Sequence, residues 1–172
     1  MHLSSRLLAG ALLLAAPAAF AQASATASAT ATATVYKGTT LSKNADMNFG
    51  TIYSSSSLGT VTLPAAATPT LGFTGGASLA SGGTAAAAMF TMSGKKSAAY
   101  TITLPSASVD LLDAVSGAKM KLTAFTASIA TTGTAPADGS DVPFYVGGTL
   151  DLLANQAEGV YSGTFSVTVA YN

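Results

Sequence analysis

Acidic side chains are the first candidates for chemistry in this sequence, because there are only seven of them in 172 residues. Asp138, Asp141 and Asp151 carry the oxygen ligands that calcium prefers, but a calcium site takes about six to eight such ligands. Residues 138–141 (DGSD) are also far shorter than an EF-hand loop, and Asp and Gly in this order are typical of a turn. The segment therefore predicts a turn without a bound metal ion.

A second cluster has the residue types of a serine–lysine catalytic pair. Ser93, Lys95, Lys96 and Ser97 lie close together in the chain, and a neighbouring lysine is one way to activate a serine hydroxyl. Adjacent lysines beside a glycine are more typical of a solvated hairpin turn whose charges protect a sheet edge. We therefore expect a surface turn at this position.

The two carboxylates Asp110 and Asp113 have the residue type needed for general acid–base catalysis. They flank a pair of leucines, and Ser108 is a suitable cap for a single helical turn over residues 108–114. This arrangement favours surface charges on that turn. Glu158 precedes the last predicted strand and indicates a polar turn. None of these groups predicts a catalytic centre, so we expect no enzyme activity, no cofactor and no metal.

The first 21 residues have the form of a secretory signal peptide. Arg6 gives the positive start, residues 7–16 (LLAGALLLAA) form a short apolar stretch, and residues 19–21 (AFA) fit a small-residue cleavage site. His2 and Arg6 are the chain's one histidine and one arginine, and cysteine is absent. After cleavage behind residue 21, the chain has no His, Cys or Arg. Catalysis by His or Cys, zinc or haem binding through the usual ligands, disulfide bonds and a basic surface for nucleic acid are therefore excluded. The mature chain also has no apolar stretch long enough for a transmembrane helix.

Residues 22–34 (QASATASATATAT) form a low-complexity N-terminal extension. From Ala23 to Thr34, alanine occupies the odd positions and serine or threonine the even ones. In a strand, this spacing places all the methyl groups on one face and all the hydroxyls on the other. The extension is open to three interpretations: a flexible tether, the domain's own first strand, or a strand donated to a neighbouring molecule. The face that a donated strand would insert is Ala25, Ala27, Ala29, Ala31, Ala33 and Val35.

Residues 35–172 read as short strands separated by turns rich in glycine and proline. Residues 100–104 (YTITL) alternate fully, and bulky groups change parity between Leu122 and Phe125, which predicts a β-bulge near residues 123–125. Residues 160–171 (VYSGTFSVTVAY) predict one long final strand. Regularly spaced strands without helical periodicity favour an all-β fold, an antiparallel β-sandwich. The predicted core is Phe49, Phe90, Tyr100, Ile102, Leu104, Leu122, Phe144, Phe165, Val167 and Val169.

Four blocks of sequence resemble a family of small secreted bacterial domains that carries only a domain-of-unknown-function label. They are residues 45–52 (ADMNFGTI), 89–105 (MFTMSGKKSAAYTITLP), 147–150 (GGTL) and 157–172 (AEGVYSGTFSVTVAYN). That family is similar to the spore-coat-U-like subunits of archaic chaperone–usher pili, which end in a comparable strand. The resemblance implies an immunoglobulin-like sandwich that lacks one strand, with a groove filled by a neighbour's N-terminal extension.

The resemblance also implies a function. We expect a non-enzymatic structural subunit, pilin-like or fimbria-like, located in the periplasm, at the cell surface or outside a bacterial cell. Its expected partners are further copies of itself or a periplasmic chaperone and usher, and the candidate groove-edge strand carries Phe165, Val167, Val169 and Tyr171. The alternative is a self-complete monomeric sandwich that acts as a surface-coat, binding or adhesion protein.

Overall fold

The computed structural model of the chain describes residues 26–35, 38–81 and 83–172. The chain divides into two units, Met1–Thr34 and Val35–Asn172. In the first unit, residues 26–34 lie outside any strand and are exposed. The predicted signal peptide and Ala25 lie outside the described residues. None of the described residues belongs to a helix long and apolar enough to cross a membrane.

The second unit is all-β in the part of the chain that the structure describes, and all its strand pairs are antiparallel, as predicted for a β-sandwich. Its strands are, in chain order, β1 (Thr40–Ala45), β2 (Ile52–Tyr53), β3 (Gly59–Leu63), β4 (Gly72–Gly75), β5 (Ser78–Leu79), β6 (Ala88–Ser93), β7 (Ala99–Thr103), β8 (Val109–Asp113), β9 (Lys119–Ala127), β10 (Thr132–Thr134), β11 (Val142–Leu152), β12 (Tyr161–Ser162) and β13 (Thr168–Tyr171).

The strands form one large sheet and two small ones. The large sheet has the order β1-β6-β11-β9-β8-β12, and β3 extends it by pairing with β11 and β4. The small sheets are β10-β7-β13 and β2-β5. The longest strand, β11, pairs with β6 and β9 and, through its second half, with β3. Apolar residues at alternate positions bury one face of β11, which makes it the centre of the large sheet.

The core consists of two clusters of buried side chains. One contains Phe49, Val61, Leu63, Ala77, Leu122, Leu150 and Leu152. The other contains Ala88, Phe90, Met92, Tyr100, Ile102, Phe144 and Val146. Six of the ten predicted core residues are buried: Phe49, Phe90, Tyr100, Ile102, Leu122 and Phe144. The other four are only half-buried: Leu104, Phe165, Val167 and Val169.

The predicted bulge in β9 is confirmed. Thr126 pairs with Gly147 and Thr123 with Thr149, so Ala124 and Phe125 together oppose the single residue Gly148. Ala124 has a φ of 46°, in the left-handed region. The extra residue turns Phe125 to the same side as Leu122, and Phe125 then packs against both core clusters.

Two predictions about local structure are wrong. Residues 108–114 form no helical turn, because residues 109–113 are strand β8, in which half-buried and exposed residues alternate over 109–112, and Asp110 meets Lys119 and Lys121 across the strand at 3.2 and 3.3 Å. Residues 160–171 are not one continuous strand. They form β12, which pairs with β8, and β13, which pairs with β7, and residues 163–167 lie between the two. The break arises because β7 and β8 belong to different sheets, so the chain crosses from one sheet to the other.

Candidate functional site

A groove of about 820 Å³ runs along the surface of the second unit. Residues 46–54, together with Lys43, form its first wall, and residues 156–165 form its second wall. Its floor is apolar and consists mainly of Phe90, Leu111, Met120, Leu122, Leu150 and Leu152. The groove therefore lies along one side of the core, with polar side chains at its rim.

The second wall contains the last strand of the large sheet, and the first wall contains one residue of its first strand. In pairing order that sheet begins with β1 and ends with β12. Lys43 of β1 and Tyr161 and Ser162 of β12 all line the groove. Among the described residues, β1 and β12 each have a strand partner on one side only, whereas β2 in the first wall pairs with β5 of a small sheet. An edge strand presents unpaired N–H and C=O groups to any extended chain that approaches it.

Hydrogen bonds between the two walls close one end of the groove. We call the residues that form them the clasp (Ser54, Ser55, Asn155 and Gln156). The Asn155 amide donates to the Ser55 carbonyl at 2.7 Å, and the Ser54 hydroxyl donates to the Gln156 carbonyl at 3.2 Å. Asn155 has a φ of 52°, which asparagine tolerates better than most residues.

The side chain of Gln156 is fixed on three sides. Its Nε2 donates to the Tyr161 hydroxyl at 2.9 Å and to the Lys119 carbonyl at 3.1 Å, and its Oε1 accepts from the Leu153 amide at 3.2 Å. The clasp is thus attached both to β9 and to β12. It ends the groove at a defined position.

At the opposite end, the groove is open. Lys43 is the strand partner of Phe90, and the Phe90 ring lies 6.4 Å from the ring of Phe165. Both walls therefore reach Phe90, one on each side. Within the described residues, no hydrogen bond joins the two walls here, and Lys43 instead pairs with Asp46 of its own wall.

Asp113 holds the second wall against β8. This carboxylate is only 3% exposed, and it accepts hydrogen bonds from the Ser116 hydroxyl at 2.6 Å, the Ser116 amide at 2.8 Å and the Val160 amide at 3.2 Å. A Cβ at Gly159 would lie 2.6 Å from the Asp113 carboxyl carbon, so only glycine allows this close approach. The hydrogen bonds, those from Ser116 foremost, hold the pKa of Asp113 below its ordinary value of 3.8.

Asp113→Asn is therefore expected to lower the melting temperature at neutral pH and to reduce its dependence on acid. A carboxyl whose pKa is lower in the folded state stabilises the fold fully above its unfolded pKa, and this stabilisation is lost as the pH falls through the folded pKa. Melting temperatures measured between about pH 6 and pH 2 test the prediction. Asp110→Asn is the control: its exposed pairs with Lys119 and Lys121 also lower the Asp110 pKa, but such pairs contribute little in salt. Equal effects of the two variants would contradict the anchoring role of Asp113.

The comparisons with known proteins place the chain in one family. The family model described as Domain of unknown function (DUF4402) matches residues 39–171. The chain belongs to this family. The DUF4402 match begins just before β1 and ends at the last residue of β13, so it includes both walls of the groove. No curated protein and no solved structure matches the chain.

The four residues of the predicted groove-edge strand lie in two different places in the DUF4402 domain. Phe165 lines the groove and packs against both core clusters. Val167, Val169 and Tyr171 pack against the second cluster, and the ring of Tyr171 lies 6.3 Å from that of Tyr100. Only the first half of the final segment therefore borders the groove.

The first wall of the groove was not predicted from the sequence. Its path is set by Asn48 and Gly50: the Gly50 amide donates to the Asn48 side-chain oxygen at 2.8 Å, and Gly50 has a φ of 73°. Asn followed two residues later by Gly is a recognisable turn signal. The opposing course of residues 156–160 depends on Asp113, 47 residues away from Val160, and no local pattern could indicate it.

The predicted donor face is described from Ala27 to Val35. Ala27, Ala29, Ala31 and Ala33 are exposed and outside any strand. Val35 is 90% exposed.

The other candidate residues of the DUF4402 domain lie in a turn, in strands and on the groove rim. The Asp138 carboxylate accepts from the Ser140 amide at 2.9 Å, as in a turn. The Ser93 hydroxyl is buried and lies 2.6 Å from the Thr40 hydroxyl. Asp110 and Asp113 have separate partners, and Glu158 lies on the groove rim. Among the described residues, no group of three or more His, Cys, Asp or Glu side chains is placed to hold a metal ion.

Proposed function

We propose that this protein is a secreted, non-enzymatic structural subunit that assembles by accepting an extended strand from a neighbouring copy into its groove. The observation that carries the proposal is a groove above an apolar floor, bordered on one side by β12, which among the described residues has a strand partner on one side only. A chain placed there adds a strand to the edge at β12.

An inserted strand satisfies two needs of this site at once. Its backbone pairs with the unpaired groups of the edge strands, and its inward side chains cover the apolar floor. The half-buried Leu111, Met120 and Phe165 become covered as well. A small compact ligand covers part of the floor but leaves both sheet edges unpaired, so the geometry favours an extended peptide.

The N-terminal extension of a second copy is the occupant that fits. Its alternation supplies a continuous methyl face and a continuous hydroxyl face, and residues 26–35 are exposed and outside any strand. The second wall is ten residues long, from 156 to 165, and an extended strand of ten residues spans roughly 30 Å at about 3.3 Å per residue. A run of the same length within residues 23–35 matches it. Donation from one copy to the next never closes on itself, so it builds a filament.

The likeness of the C-terminal block, residues 157–172, to spore-coat-U-like pilus subunits supports the same assignment. The first 21 residues have the composition of a signal peptide, which supports export. A periplasmic chaperone that covers the groove before assembly, and an usher at the outer membrane, are the partners that such an assembly requires. The absence of His, Cys and Arg after residue 21 supports a role without catalysis.

Size-exclusion chromatography of the chain that starts at Gln22, with and without residues 22–35, tests the proposal. The longer protein is expected to form a concentration-dependent series of oligomers, and the truncated one a monomer. A synthetic peptide of residues 22–35 is expected to raise the melting temperature of the truncated protein, because it binds only the folded state. The control peptide carries aspartate at positions 27, 29 and 31. Monomers in both cases, with no response to the peptide, would favour the self-complete sandwich.

A further inference from the structure

The alternating sequence of the extension does not by itself specify one register in the groove. A shift of one residue exchanges the methyl and hydroxyl faces, which the apolar floor opposes. A shift of two residues returns alanine to every inward position from Ala23 to Ala33. Something outside the repeat must therefore decide which residues of the extension occupy the groove, given the strand donation proposed above.

The two ends of the groove are different, which fixes the direction of an inserted strand. The clasp closes one end, and the end beside Phe165 is open. The inserted extension remains joined to its own domain after residue 35. That end can leave the groove only where the walls are not bonded to each other, beside Phe165. The inserted strand then runs from the clasp towards Phe165, in the same direction as residues 156–165.

Val35 ends the methyl face. It is the one bulky apolar residue on the inward side, and the next residue on that side is Lys37. Moving the strand two residues towards the clasp would bring the Lys37 ammonium over the apolar floor, which is costly without a partner. Moving it two residues outwards would remove Val35 from the floor. In the present structure Val35 is 90% exposed, so burying its side chain on insertion would stabilise the inserted strand.

We infer that Val35 fixes a single register, in which residues 26–35 occupy the groove, Val35 packs beside Phe165 and Met47 at the open end, and the chain leaves the groove there to join its own domain. Met47 and Phe165 are both half-buried groove residues. The ten residues of the second wall match the ten residues of this segment.

Disulfide mapping tests the register, because the chain has no cysteine of its own. Thr164 and Ser162 are exposed and line the groove, so each accepts a cysteine on the outer face of the second wall. Neighbouring strands lie about 4.7–4.9 Å apart, within the range of Cα separations that a disulfide accepts. The donor cysteine is placed in turn at Thr26, Ser28, Thr30, Thr32 and Thr34.

Thr164→Cys is expected to cross-link to position 34 of another copy, and Ser162→Cys to position 32. The yield of each cross-link should exceed the yield at donor positions two residues away by roughly tenfold. This is the factor that burial of the extra methyl groups of valine supplies. Val35→Ala should spread the cross-links over several even positions, and Val35→Ile should restore the preference. Equal cross-linking at all even positions in the native sequence, or a preference that survives Val35→Ala, would overturn the register while leaving strand donation intact. Absence of any intermolecular cross-link would overturn the proposed function itself.

Discussion

Phe144→Ala is expected to lower the free energy of unfolding by about 3–5 kcal/mol, the range for removing a fully buried aromatic ring. Phe144 lies in the central strand β11, is 0% exposed, and its ring stacks on that of Phe90 with centroids 5.7 Å apart. Its neighbours in the second core cluster come from β6 in the large sheet and from β7 in a small sheet, so they cannot close the cavity without moving a sheet. Urea unfolding of the variant and the native protein measures the loss.

Phe165→Ala is the matched control, since it removes the same side chain from the edge of the groove. Phe165 is half-buried, with ring contacts to Phe125 at 5.1 Å and to Phe90 at 6.4 Å. Part of its surface already faces the groove, so we expect a smaller cost of about 1–3 kcal/mol in the monomer. A loss as large as that of Phe144→Ala would mean that the groove is already filled in the free protein.

The alternation of residues was enough to predict most of the core and the fold class. Phe144 and Leu122 stand in runs with a two-residue period, and both are buried where the period places them. The parity change before Phe125 predicted the bulge, because a strand can restore an interrupted pattern only by inserting a residue. Such predictions succeed where the signal lies within one strand.

The parts that failed depend on contacts between distant segments. Residues 108–114 contain a candidate helix cap and two adjacent leucines, which favour a helical turn. Lys119 and Lys121 lie across the strand from Asp110, however, and strand pairing overrides this weak helical preference. The final segment alternates without interruption, yet it breaks because its two partners lie in different sheets. The groove is likewise a product of how the large sheet curls, and no run of residues specifies that.

The largest effect on assembly is expected from aspartate on the methyl face of the extension. Ala29→Asp or Ala31→Asp would place a carboxylate over an apolar floor that offers it no partner, at a cost of several kcal/mol, or a loss of about a thousandfold in association. Thr30→Asp and Thr32→Asp would place the same charge in solvent and should leave assembly nearly unchanged. The prediction holds in every register that keeps the alternation, so it tests strand donation independently of the role of Val35.

The monomer supplies the internal control for this comparison. Residues 29–32 are exposed and outside any strand, so none of the four substitutions should change the melting temperature of the monomeric protein. Sedimentation velocity over a range of concentrations would compare assembly, with melting curves recorded on the same samples. Loss of assembly at the odd positions alone, with unchanged monomer melting, is the expected result. A fall in monomer melting at the odd positions would instead show that the extension completes its own sheet, and equal tolerance at all four positions would leave residues 22–34 as a tether.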